Sequence, residues 1–218
     1  MVMKKRSATK HNRIMLIVVL VLAAALLAGV AYALGAKEQT PTAQTGSLLR
    51  GKHYIEIDIA DYGVITAELD ADAAPITVTN FVNLVDSGFY NGITFHRIIN
   101  GFMIQGGDPL GNGTGGSGNK IKGEFTANGV NNPLTHERGV LSMARSMAYD
   151  SASSQFFIMH QKAPHLDGQY AAFGKVLSGI EVVDQICASV PVTDNNGSVN
   201  KAHQPVITSI KRIEKPAE

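Results

Sequence analysis

The sequence carries one cysteine, Cys187, among 218 residues. That scarcity excludes an internal disulfide framework and a zinc cluster of several cysteines. Basic charge is thin over most of the chain. Lys4, Lys5, Arg6, Lys10 and Arg13 crowd the start with no acid among them, and the remainder holds 14 basic against 18 acidic residues, a net of −4. A mildly acidic domain lacks the basic footprint of a nucleic-acid binder, so nucleic acid is excluded as a partner. No internal repeat is present. Past its start the chain is long enough to bury a sizeable core without staples, and no cofactor is expected.

What is present begins with an uncharged run from Ile14 to Ala36, IMLIVVLVLAAALLAGVAYALGA. About 20 such residues suffice for a helix to cross a bilayer. The preceding basic segment, residues 1–13, belongs in the cytoplasm by the positive-inside rule, which sends the rest of the chain across the cell membrane. Residues 14–36 therefore read as a single-pass anchor. The rival reading is a signal peptide cleaved at the small-x-small triplet Ala31-Tyr32-Ala33, which would leave the domain secreted. Residues 37–52, polar and without periodicity, read as a flexible tether, and residues 53–218 as one domain.

Within that domain, the alternation from Tyr54 to Ile59, the turn Asp61-Tyr62-Gly63 and the run Val64 to Leu69 predict a β-hairpin. Pro75 to Asp86 carries Ile76, Phe81, Val82, Leu84 and Val85 at helical spacing, with Pro75 suited to a first turn and Ser87-Gly88 to a stop. Further β-rich runs are Ile93 to Ile99, Phe102 to Gln105, Val140 to Ala144, Gln155 to His160, Ala172 to Val176 and Val206 to Ile213, and a second helix is predicted over Ile180 to Cys187. About eight strands and two helices predict a mainly β fold, a closed barrel capped by helices.

Familiar catalytic arrangements are missing. Gly111 to Gly116 matches G-x-G-x-x-G, but no helical period follows it, so it reads as a surface loop and not a phosphate cradle. Ser117 lacks the second glycine of a nucleophile elbow. His160 and His165, five apart, do not share a helical face, and no metal site is expected. One stretch is unusual: Phe95-His96-Arg97-Ile98-Ile99-Asn100-Gly101-Phe102-Met103-Ile104-Gln105-Gly106-Gly107-Asp108 sets an arginine and a glutamine among large hydrophobes. Strand alternation puts Arg97 on the same side as Phe95, and the pattern leaves open whether Arg97 is a solvent-facing residue or a functional one.

This stretch resembles the signature of the cyclophilin family, F-H-R-x-I-x-x-F-M-x-Q-G-G-D. Gly139-Val140-Leu141-Ser142-Met143-Ala144 with Ser153-Ser154-Gln155-Phe156-Phe157-Ile158, and then Leu166-Asp167-Gly168 with Phe173-Gly174-Lys175-Val176, resemble its later motifs in the same order. The resemblance runs from about Tyr54 to Ile213 and implies an eight-stranded antiparallel barrel with two capping helices and peptidyl-prolyl cis-trans isomerase activity. It implies Arg97 as the catalytic donor and Gln105 as the residue that orients it. By the same resemblance Phe102, Met103, Phe157 and Leu166 form the proline pocket, Ala144 and Arg145 contact the substrate backbone, and Gln155 lines the groove. Phe95 and Phe156 are left to the core. Two positions depart from the family: His165 stands where many members have tryptophan, which implies weakened cyclosporin binding, and Tyr170 stands where many have histidine, which keeps a ring at the pocket edge. The partners expected are proline-containing peptides or unfolded exported chains. A proline-docking module without turnover and a holdase chaperone are the alternatives.

Overall fold

The computed structural model describes residues 47–217. The expected basic segment, the anchor and the tether up to residue 46 lie outside the described residues, and among the described residues no helix is long and apolar enough to cross a membrane. The expected tether ends earlier than its sequence suggested. Leu49 packs against the core, its N–H donates to Thr79 Oγ1 at 2.9 Å, and the first strand already begins at Lys52.

The chain forms β1 (Lys52–Ile59), β2 (Gly63–Asp70), α1 (Pro75–Asp86), β3 (Thr94–Ile99), β4 (Met103–Asp108), β5 (Val140–Met143), β6 (Phe156–Met159), β7 (Ala172–Ser178), α2 (Ile180–Ser189) and β8 (Ile207–Ile213). The eight strands make one sheet in the order β3-β4-β6-β5-β7-β2-β1-β8, every pairing antiparallel. The expected closed barrel is corrected here to a half-barrel. At the seam, β3 and β8 meet only at their starts, through a single bridge between Thr94 and Val206. The reason is local: beyond Phe95 the free edge of β3 is occupied by another segment, with the Ile98 N–H donating to the Gly197 carbonyl at 2.8 Å and the Val199 N–H to the His96 carbonyl at 3.0 Å.

Alternation along the strands turns one face inward. Ile55, Ile57, Ile65, Leu69, Ile104, Leu141, Phe156, Ile158 and Phe173 join Val78, Phe81, Val82 and Val85 of α1 and Val182, Val183 and Ile186 of α2 in one core. Phe81 anchors it, with ring centroids 5.0 Å from Tyr90, 5.3 Å from Phe156 and 5.1 Å from Phe173. The start of α1 is capped from outside the helix. Ala74 offers no side-chain cap, and the buried Glu124 carboxylate instead accepts the Ile76 and Thr77 N–H groups at 3.0 and 2.7 Å, satisfying two donors that a helix start leaves open.

Candidate active site

The opposite face of β3, β4, β6 and β5 carries a second apolar cluster: Met103, Val140, Phe157, Met159, Ala163, Leu166 and Ala172, with Ile99, Phe102, Ala144 and Tyr170 packed on it. Strand register builds the site as a row. Arg97 on β3 lies opposite Gln105 on β4, Gln105 opposite Phe157 on β6, and Phe157 opposite Ser142 on β5. Paired side chains on one face stand about 5 Å apart, so four adjacent strands deliver a cation, an amide, an aromatic ring and a hydroxyl side by side.

Arg97 reaches this face because β3 is not regular. The ladder slips between Phe95 and Arg97, so Phe95 and Ile98 both enter the core while Arg97 points out of it. The alternation that would have put Arg97 and Phe95 on one side fails at this bulge, as bulges re-aim side chains. The half-buried guanidinium donates from Nη1 to Gln105 Oε1 at 3.1 Å, from Nε to the Asn196 carbonyl at 2.8 Å and from Nη2 to Asn196 Oδ1 at 3.2 Å. Burial lowers its pKa from the ordinary value, against the pull of Tyr170 and Asp194. An arginine nevertheless keeps its charge.

Arg97, Phe102, Met103, Gln105, Ala144, Arg145, Phe157, Leu166 and Tyr170 line one groove of about 220 Å³. That is below the roughly 300 to 1,000 Å³ of pockets for drug-sized ligands, and suits a small ring better than a cofactor. Gln155 stands behind the lining. It accepts from Gln105 Nε2 at 2.9 Å and donates to the carbonyls of Gly113 and Gly115 at 3.1 and 2.8 Å, tying Arg97 through two amides to the glycine-rich loop. Asp108 organises that loop: its buried carboxylate accepts the N–H groups of Leu110, Asn112 and Gly113. Burial pushes its pKa up, and the backbone donors outweigh that and hold it below the usual value.

One further sequence assignment changes character in three dimensions. The Arg145 side chain lines the groove but is turned to its own neighbours, with Nε and Nη2 donating to the Gln169 carbonyl at 3.0 and 2.9 Å and Nη1 to the Ser146 carbonyl at 2.9 Å. Its guanidinium lies 5.2, 5.0 and 4.5 Å from the ring centres of Phe125, Tyr149 and Tyr170. It braces the pocket edge. His165 is exposed and stacks on Phe102, with centroids 5.6 Å apart. His160, considered with it for metal binding, instead accepts the Gly101 N–H at 2.9 Å and pairs with Asp184 at 3.1 Å.

Sequence reasoning passed over three residues under the pocket. The buried His136 meets Asp167 Oδ1 through Nδ1 at 2.9 Å and Ser142 Oγ through Nε2 at 3.0 Å, and its ring stacks on Phe157. The arrangement has the connectivity of a hydrolase triad, but Ser142 is wholly buried and meets no substrate. Its work is to hold the pocket floor. Ser142 and Asp167 lie inside the quoted motifs, so that was the available signal. Asn196 had none.

The family model described as "Cyclophilin type peptidyl-prolyl cis-trans isomerase/CLD" matches residues 54–212. The chain is 52% identical over 123 residues to peptidyl-prolyl cis-trans isomerase B of Bacillus subtilis, covering 56% of this chain and 82% of that protein. It is 48% identical over 126 residues to a peptidyl-prolyl cis-trans isomerase of Helicobacter pylori, covering 57% and 74%. A crystal structure of a Cryptosporidium parvum cyclophilin-type isomerase superposes with a TM-score of 0.67 at 32% identity, covering 76% of this chain and all of that one. A second structure of that protein, solved in the presence of the dipeptide Ala-Pro, gives 0.65 at 32%, covering 74% and 99%. A family model matched over residues 54–212, together with relatives about half identical to the chain, establishes that this chain belongs to the cyclophilin-type peptidyl-prolyl cis-trans isomerases.

Proposed function

We propose that the groove takes the proline ring of a polypeptide segment against Phe102, Met103, Phe157 and Leu166, with Tyr170 at its edge, and that Arg97 catalyses rotation about the preceding amide. Uncatalysed, the rotation takes tens to hundreds of seconds because the amide must give up its resonance. No bond breaks, so no nucleophile, metal or general base is needed. In the twisted amide the proline nitrogen regains a localised lone pair, and a donor aimed at it stabilises that state over either planar one. Shortening a 100 s event to about a millisecond takes about 7 kcal/mol. One charge-assisted hydrogen bond covers part of that, and a water-poor pocket that grips the ring covers the rest.

The observation that carries this reading is the row Arg97, Gln105, Phe157, which sets a cation with only neutral partners beside an apolar pocket. Measured by NMR exchange on an Ala-Pro peptide, the full-length chain in mild detergent accelerates isomerisation and Arg97→Ala loses it by at least about a hundredfold, equivalent to about 2.7 kcal/mol. A folded wild-type chain that binds the peptide without accelerating it would make the groove a docking module.

We further place the domain on the outer side of the cell membrane, acting on exported chains as they fold. The support is the uncharged run from Ile14 to Ala36 with its basic N-terminal flank. In fractionated cells the protein should stay with membranes after alkaline carbonate extraction, and its domain should be cleaved by protease added outside spheroplasts. A domain shielded until the membrane is breached would reverse the topology.

A further inference from the structure

Asn196 sits in the segment that occupies the free edge of β3, in a tight turn from Asp194 to Gly197. The Gly197 N–H donates to the Asp194 carbonyl at 3.1 Å, and the Thr193 N–H to the Ser198 carbonyl at 2.7 Å. Asp194 Oδ1 accepts the Ser198 N–H at 3.0 Å. Gly197 has φ +82°, and a Cβ there would collide with the Ile98 carbonyl, so the turn is pressed on β3 as only glycine permits. A bridge between Arg97 and Ser198 fixes its register.

We propose that Asn196 is a positioning residue for Arg97, and that its being neutral is part of its role; this rests on the assignment of Arg97 made above. A guanidinium has five N–H donors in a planar fork. Gln105 takes one from the β4 side. Asn196 takes two from the other side, one through its backbone carbonyl and one through its side chain. The fork is clamped at both flanks, leaving one N–H on each terminal nitrogen without an oxygen acceptor among the described residues; only Met103 Sδ lies near Nη1, at 4.0 Å. All three clamping oxygens belong to amides. A carboxylate in their place would hold the fork more firmly but, as an opposite charge a few ångströms away, would weaken the field the guanidinium presents to the reacting amide. The one acid of the turn, Asp194, gives its carboxylate to the Ser198 N–H and acts on Arg97 through its charge alone, without a hydrogen bond to the fork.

The test compares Asn196→Ala, Asn196→Asp and Arg97→Ala in the full-length chain, with kcat and KM for an X-Pro peptide measured by NMR exchange and thermal midpoints recorded alongside. Asn196→Ala keeps the backbone carbonyl and loses the side-chain hold, so kcat should fall about tenfold with KM within about threefold. Asn196→Asp should fall further, at a midpoint no lower than that of Asn196→Ala. Ordinary structural filling would not produce that ranking, because aspartate offers the same acceptor with more charge. If both Asn196 variants keep kcat within about twofold of wild type, or lose only in KM, while Arg97→Ala is inactive, the turn is filler and the inference fails although the reading of Arg97 stands. If Arg97→Ala is itself active, that reading has failed and takes this inference with it.

Discussion

Arg145 brings together two effects that a sequence cannot separate. Its matching position implies contact with the substrate backbone, yet its N–H groups are committed to the carbonyls of Gln169, Ser146 and Met147 and its charge lies against three rings. It staples the loop carrying Tyr149 to the loop carrying Tyr170. Contacts of a guanidinium with aromatic faces give about 0.5 to 2 kcal/mol, and a fork is not replaced by an ammonium. Arg145→Ala should therefore lower the free energy of unfolding by about 1 to 2 kcal/mol and raise KM more than it lowers kcat, because Tyr170 loses its support while Arg97 keeps its own. Arg145→Lys should fall between. Thermal denaturation and peptide titration of both variants check this, and a loss confined to kcat would mean that Arg145 acts on the reacting amide. Arg97, Gln105, Phe102 and Met103 were legible because they sit inside one short motif, and Phe157 and Leu166 because they sit in the two later ones. Asn196 was not, since its contact with Arg97 spans 99 positions and an asparagine beside a glycine in a loop reads first as turn chemistry.

At the scale of elements, the periodic signals translated well where one face meets the core. The helix expected from Pro75 to Asp86 has those limits, because proline marks its first turn and Ser87-Gly88 its end. The second runs to Ser189, two residues beyond its expected end. The Tyr54 to Leu69 hairpin forms with Ile57 opposite Ile65 in the core. What periodicity misses is the residue out of step. The slip at His96 leaves no mark in a pattern of apolar residues, yet it decides which face Arg97 occupies, and a one-residue shift of register exchanges the two faces of a strand. The cap on α1 is equally hidden: local sequence offers Ala74 at the position where serine or aspartate is favoured, and the carboxylate that serves comes from Glu124, 48 residues beyond Ile76. The seam was beyond sequence for the same reason. Counting eight strands suggests closure, whereas the turn that clamps Arg97 takes the edge of β3 that closure would need. The half-open sheet and the positioned arginine are thus two results of one packing choice.

For the whole molecule, the titration of buried groups sets how stability follows pH. His96 is buried among β3 neighbours with neither ring nitrogen hydrogen-bonded to protein. Burial lowers its pKa, Asp108 raises it and Arg97 lowers it, for a net shift below the ordinary 6.5. His136 is lowered too, by burial first, against the hydrogen bond and charge of Asp167 and with a small push from His165. Although 2.9 Å separates Nδ1 from the carboxylate, the pair is therefore a neutral imidazole donating to an anion. Below pH 6.5 the unfolded chain binds protons at these two sites more readily than the native one, so stability rises with pH, is complete above about 6.5 and is lost as pH falls toward the native pKa values. Each histidine contributes up to about 1.4 kcal/mol per pH unit across that window. A second loss follows in stronger acid, where Asp70, Asp108 and Asp167, all held below the ordinary carboxylate value, take up protons. Urea unfolding at pH 7.5, 6 and 5 should show a falling midpoint ahead of the steeper loss in stronger acid. His96→Leu removes one of the two sites without stranding a partner, since no protein group depends on its ring nitrogens, and should flatten the decline while leaving that of His136. A midpoint that stays level from pH 7.5 to 5 would mean that both imidazoles accept protons in place, with the Ser142 hydroxyl turning to accept from His136 and the pocket floor holding either way.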